Sequence, residues 1–435
     1  MIEGPEKDVN TAIFAWKPSE ATTRASKIAF HIALFLIAFL ILFSRRPDAL
    51  LNAQFYAEDG TFWYADAYNH SWHCLFMPEA GYLHTVPRLV ALFSLIFPLA
   101  LAPLVMNLFA LFFQILPITV FFSRFNSLSL SIRVFGSLLY LAVPNSYEIH
   151  ANATNIQWHL ALLACLVILA AAPRSISWSV FDVTILTLAS VDSPLGIPLI
   201  ALVAAIWWMH REKRAQLMLF ALVPGTLIET VFLLFSQTRR PASNAANLSA
   251  LASILGGQVF MSSILGVRTV IHFYFGHMRF LFAAEICAAL VGLAVVFYAL
   301  LSAPAELKLF VLFSASVLAM ALYHPLAVLD PIPEQWQLLR VPGLGNRYYF
   351  LPMLAFFACL IWLATRSTAK FPRYAALAIL LLSPIGVLRD WKYKPFRDFD
   401  FPRYAAMFER AAPGTRVIIP TNPTSTLWTM ELDKR

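Results

Sequence analysis

Charged residues are scarce: Asp, Glu, Lys and Arg together fill 13% of 435 positions, and no stretch has the makeup of a second, soluble domain. Cysteine is scarcer, with four in the chain. Cys165, Cys287 and Cys359 fall in apolar stretches and only Cys74 in a polar loop, so no disulfide framework is expected. Glycine is thin as well, at 15 residues. Gly60, Gly81 and Gly343-Leu344-Gly345 read as turns, because no strand precedes them and no phosphate-cradling fingerprint is completed. The spacing of His70, His73, Cys74 and His84 fits no zinc motif. No Ser-His-Asp arrangement, internal repeat or low-complexity tract is evident.

What the chain does have is apolar length. Hydrophobic residues make up 60% of it, well above the roughly 45–50% of a soluble domain. Apolar runs near the roughly 20 residues needed to cross a bilayer recur throughout. About 25 polar residues precede the first run and no small-residue cleavage site follows it, so it reads as an anchor and not a signal peptide. The net charge of +8 does not imply nucleic acid. Lys and Arg gather in short clusters between apolar runs, as the positive-inside bias dictates.

These features predict an all-α, polytopic integral membrane protein with about eleven transmembrane helices. The expected spans lie near 27–43, 103–122, 130–144, 157–172, 177–190, 195–209, 215–235, 280–301, 309–324, 348–364 and 372–388. The basic clusters at 210–214, 306–308 and 366–373 share one side if 88–97 is re-entrant or interfacial. Residues 1–26 then form a cytoplasmic segment, 27–388 the membrane domain with a first outer loop at 44–87, and 389–435 a small extracytoplasmic tail. An interfacial helix is expected around 251–267, where Gly256-Gly257 argues against a full span, and Asp192 reads as part of a surface turn. The tail predicts a helix over 403–411 and a strand over 416–420.

Against so little charge, Glu58-Asp59 in the first outer loop stands out. The two carboxylates either cap a helix starting at Gly60 or serve as general base or cation ligand. A second polar cluster, 145–159, contributes Glu148, His150, Asn152, Asn155 and His159. It suits the hydroxyl-rich surface of a sugar, and equally a solvated connector. His84, Arg88, Arg340, Arg347 and Tyr348 fall on the same side, with Arg347 the first choice for a phosphate because its planar fork holds two oxygens.

One span, a long outer loop opening on an acidic pair, and then many spans resembles the membrane-embedded C-type (GT-C) glycosyltransferases. The resemblance implies transfer of a sugar from a polyprenyl-phosphate donor to a glycan, lipid or protein acceptor on the outer face of a bacterial inner (plasma) membrane. This is cell-envelope polysaccharide chemistry in which membrane lipid is a partner and nucleic acid is not. It implies Asp59 and Glu58 as catalytic carboxylates, with Asp59 the first choice to deprotonate or orient the acceptor hydroxyl. Arg88, His84, Glu148, His150, Asn152, Asn155, His159, Arg347, Arg340 and Tyr348 would bind substrate. Asp59 and Glu148 would hold Mg²⁺ or Mn²⁺ where a metal is used. The rival readings are a transporter or lipid flippase, marked by mid-span acids such as Glu229 and Glu285, and a non-catalytic assembly subunit.

Overall fold

The computed structural model describes residues 24–236, 244–325, 334–424 and 428–435, without the side chains of Arg24, Lys27, Met278 and Arg279. Nearly all of the expected cytoplasmic segment 1–26, and the Arg279 side chain, therefore lie outside the described residues. Helices dominate. Among the described residues, eight are long and apolar enough to cross a membrane: Ile28–Arg45, Leu99–Arg124, Lys213–Phe235, Leu248–Leu265, Phe280–Ser302, Ala305–Tyr323, Asn346–Arg366 and Lys370–Arg389. Seven of these match expected spans.

The other four expected spans correspond to shorter helices, Leu130–Leu141, Ile156–Leu169, Ile176–Asp192 and Gly196–His210, of 12, 14, 17 and 15 residues. At 1.5 Å per residue these reach roughly 18–26 Å, less than the apolar core of about 30 Å. Ile156–Leu169 illustrates why a short helix suffices, since twelve of its fourteen residues are buried among other helices and not against lipid. Side chains set where such helices begin. Ser129 Oγ accepts from the Ile132 N–H, Ser175 Oγ from Trp178, and Asn247 Oδ1 from Ala250, each satisfying a first-turn donor.

The region expected as an interfacial helix near 251–267 lies in the continuous helical run Leu248–Leu265, long and apolar enough for a span by composition, yet its start, middle and end all stay with the polar loops: Asn244 Nδ2 donates to the Tyr323 carbonyl (2.6 Å), Gln258 Nε2 to the Leu339 carbonyl (2.9 Å) and the Val267 N–H to Asp390 (2.7 Å). Its glycines are packing devices. A Cβ on Gly256 would sit 1.9 Å from the Glu285 carbonyl oxygen, so only glycine lets this helix meet Met278–Ser302 so closely. Thr85–Ser94, which takes in most of 88–97, is a ten-residue helix that rises about 15 Å, half the apolar thickness of a bilayer.

Two helices orient the molecule. Ile156–Leu169 starts at the loop holding Asp59 and ends at Ala170, whose carbonyl accepts from Arg214. Asn346–Arg366 likewise runs from the 346–349 turn to Arg366. The polar loops thus occupy one end of the bundle and Arg124, Arg214 and Arg366 the other.

The tail matches its expected elements, with helix Phe401–Arg410 and strand Arg416–Pro420, and adds a partner strand, Thr429–Asp433, paired antiparallel with Arg416 opposite Asp433. It packs onto the first loop. The Asn422 N–H donates to the Phe55 carbonyl (3.0 Å), Asn69 Nδ2 to the Glu431 carbonyl (2.9 Å), and Gln54 Nε2 to Asp398 (3.0 Å). Phe55 meets Phe401 edge-on at 5.4 Å. The tail is a clamp over the acidic loop.

Candidate active site

Glu58 and Asp59 stand at the head of a short π-helical turn, Asp59–Tyr64, preceded by Ala57 at φ 47°. A left-handed alanine is strained, and π-turns of this kind concentrate at functional sites. Neither carboxylate caps the helix. They separate into two roles.

Asp59 points inward and is 1% exposed. Its Oδ1 accepts from the Thr154 N–H and hydroxyl, both at 2.7 Å, and its Oδ2 from the Ala153 N–H at 3.0 Å. The Thr154 hydroxyl in turn accepts from Trp63 Nε1 at 2.9 Å, which fixes it as a donor toward Asp59. Burial pushes the Asp59 carboxyl up to about 7 against the pull of these hydrogen bonds. Oδ2, with one donor, has room for the proton. Asp59 therefore ties the first loop to the second.

Glu58, half-buried, interacts with Thr154 as Asp59 does, and also feels the charges of Arg347 and Glu148. Burial raises its carboxyl above the ordinary range, the Arg347 charge pulls it back down, and the Glu148 charge raises it again. Glu148 forms an ion pair with Arg347 Nη1, and its Oε2 accepts from the Arg347 N–H at 3.4 Å. Arg347 also donates from Nη2 to the Tyr348 hydroxyl (3.2 Å), with its guanidinium 4.8 Å from that ring's centre. The ion pair keeps some access to solvent, with side chains 25% and 12% exposed. Gln157 Nε2 donates to the Tyr82 hydroxyl at 3.4 Å, and Tyr147 donates to the Gly343 carbonyl at 2.9 Å. Burial holds the Tyr56 hydroxyl well above its usual value, and the Glu148 and Tyr147 charges add to this.

Several sequence candidates engage other protein groups. Arg88, 1% exposed, pairs with Asp66 at 2.8 Å, donates to the Leu83 carbonyl at 3.0 Å and lies over Trp63, so it is spent inside the first loop. The amides of Asn152 and Asn155 turn onto their own loop and both donate to the Glu148 carbonyl, at 2.7 and 3.0 Å. That holds Glu148 in place and commits the NH₂ groups of both amides to their own loop. His159 lies between the Tyr140 hydroxyl and the Ile149 carbonyl, at 3.0 Å from each. His150 is buried beside Tyr393, and burial with the neighbouring Arg46 charge keeps its ring neutral. His84 stacks between Trp63 and Tyr82 and is neutral for the same cause, burial first and Arg88 second. Arg340 donates to Gln337 one turn away.

The residues do not fit a metal. The Asp59 oxygens face three protein donors and Glu148 faces Arg347, and among the described residues no group of three or more His, Cys, Asp or Glu could hold an ion. Asp192 is not in a surface turn. It is 1% exposed, and its Oδ1 accepts from the Val86 N–H at 2.7 Å, at the start of helix Thr85–Ser94.

Arg46 is the residue that sequence reasoning passed over. It is 3% exposed, 4.4 Å from the Phe396 ring centre and 5.2 Å from that of Tyr393, with Tyr56 and Tyr147 beside it. Its Nε has no hydrogen-bond partner, a costly state for a buried cation that has somewhere to send a donor. Its signal in the sequence is only a second arginine at the end of an apolar run.

Together these features define an all-α, multi-pass membrane protein with a carboxylate–arginine cluster between its polar loops. No protein-family model matches the chain, and no curated protein matches it either.

Asp59→Asn tests the tie between the loops. An amide placed at Oδ2 sets donor against donor at Ala153, with an expected loss of about 1–3 kcal/mol. The pH dependence should also flatten. Because the folded carboxyl titrates near 7 and the unfolded one near 3.8, Asp59 stabilises fully at acid pH, and that contribution fades as pH rises toward 7. Thermal melts of both proteins at pH 5 and pH 8 should show a smaller pH-dependent drop for the variant; identical drops would reject the assignment.

Proposed function

We propose that this protein is an integral-membrane glycosyltransferase that moves a sugar from a polyprenyl-phosphate donor to an acceptor hydroxyl, on the outer face of the membrane. The observation that carries this reading is the meeting of Glu58, Glu148 and Arg347 where the polar loops close over the helices. Group transfer at an anomeric carbon needs a base for the acceptor proton and a cation for the departing phosphate, and the cluster supplies both.

In one displacement, the acceptor oxygen bonds to the anomeric carbon as the bond from that carbon to the phosphate oxygen breaks. Glu58 takes the acceptor proton. The polyprenyl phosphate leaves with the electron pair, and Arg347 and Arg46 meet its negative charge. Asp59 acts through position: by fixing Ala153 and Thr154 it sets the second loop that carries Glu148. Trp158 and Tyr348, edge-on at 5.8 Å, offer aromatic surface beside the ion pair.

Two mid-span acids that would suit a transporter are engaged otherwise. Glu229 Oε2 accepts from the Leu83 N–H at 3.1 Å, and Glu285 packs where its helix meets Gly256 and Gly257. Both sit at contacts between segments.

A base with a raised pKa sets the acid side of the rate profile. Transfer should rise with pH as Glu58 ionises, with its midpoint above 4.5. Initial rates of the purified protein from pH 4 to 8, with a polyprenyl-phosphate-sugar donor, test this. A flat profile across that range would exclude Glu58 as the base.

A further inference from the structure

At the end of the bundle away from Glu58 lies a cavity of about 1410 Å³, larger than the roughly 300–1,000 Å³ of sites for drug-sized ligands. Its rim and its depth differ in chemistry. Arg124, Arg174, Arg214 and Arg366 line it with two acids, Glu212 and Glu306. Counting Asp182, which pairs with Arg124 and lies 3.7 Å from Arg214, four positive charges stand against three negative ones. The deeper wall is apolar, with Phe121, Leu166, Phe310 and Phe357. Leu354 lies on it too, twelve positions before Arg366 on the same helix. At 1.5 Å per residue the cavity reaches roughly 18 Å in from its charged rim, more than half the apolar thickness of a leaflet pair.

The arginines divide as the carboxylates do. Arg124 donates to the Ala171 carbonyl, and Arg214 to those of Ala170 and Val167 at 2.7 and 2.8 Å, so both cap the end of helix Ile156–Leu169. Arg174 and Arg366 are exposed and form no ion pair among the described residues.

We infer that this cavity binds one anionic glycerophospholipid of the surrounding leaflet, its phosphate held by Arg174 and Arg366 and an acyl chain lying along Phe310 and Phe357. The two exposed arginines meet the phosphate, and the acyl chain accounts for the apolar depth that a free anion has no use for. The site is separate from the Glu58 cluster and stands whether or not the protein transfers sugar.

The test is thermal stability of the full chain in phosphatidylcholine nanodiscs, titrated with phosphatidylglycerol or, separately, with inorganic phosphate. The expected result is a saturable rise in melting temperature with phosphatidylglycerol alone. In the Arg174→Gln/Arg366→Gln variant, the apparent affinity should fall roughly tenfold, the loss of about 1.4 kcal/mol, without a change in the melting temperature in phosphatidylcholine. Gly136→Leu, which fills the cavity wall without touching the charges, should also weaken the response. An equal rise with inorganic phosphate, or an undiminished response in both variants, would overturn the inference.

Discussion

Replacing Glu58 with Gln should lower sugar transfer by roughly 100- to 10,000-fold, the usual contribution of a positioned general base, with little change in stability. The substitution keeps the shape and removes the charge. Glu58 is half-buried and is not the partner that holds Arg347, which retains its ion pair with Glu148. The loss should therefore appear in kcat and not in donor binding. Transfer assays with purified protein, beside thermal melts of the same samples, check both halves. Unchanged turnover would remove Glu58 from the mechanism, and a large drop in melting temperature would make its role structural.

The second large effect is expected at Arg347. Arg347→Met leaves Glu148, 12% exposed, without its counter-charge. Breaking a fully buried pair costs about 3–5 kcal/mol. With Arg347 itself 25% exposed, solvent relieves part of this, and about 2–3 kcal/mol is expected. Adding Glu148→Gln should restore most of that stability, because two uncharged side chains leave no stranded charge. It should not restore transfer, since the cation facing the leaving phosphate is gone. Chemical denaturation in detergent gives the first comparison and the transfer assay the second. A double variant as active as the native protein would separate Arg347 from catalysis.

The membrane class and most helices were legible because apolar length is a local property. Spans such as 103–122 and 215–235 follow from composition alone. Helix Ile156–Leu169 shows the limit: its length reflects burial among neighbours, which periodicity cannot reveal in a uniformly apolar run. The packing role of Gly256-Gly257 was hidden for a related reason, because a glycine pair reads as a break unless the Glu285 backbone opposite is known.

The acidic pair was legible as an oddity, and Glu148 and Arg347 as separate candidates. Their partnership was not, since it joins positions 199 apart. Nor could sequence assign the roles of Glu58 and Asp59, adjacent and alike in chemistry. The backbone N–H groups of Ala153 and Thr154 make that division, and any residue type presents an N–H. Asn152 and Asn155 look like sugar ligands for the same reason that they serve their own loop: amides donate and accept at close range.

Mass spectrometry of lipid-linked sugars and envelope glycans tests the central claim most directly, in cells carrying the native chain, Glu58→Gln, or neither. The account predicts that the native chain alone adds a glycan product. Cells with Glu58→Gln should lack that product and retain the polyprenyl-phosphate sugar that would have supplied it. Identical profiles in all three would contradict it.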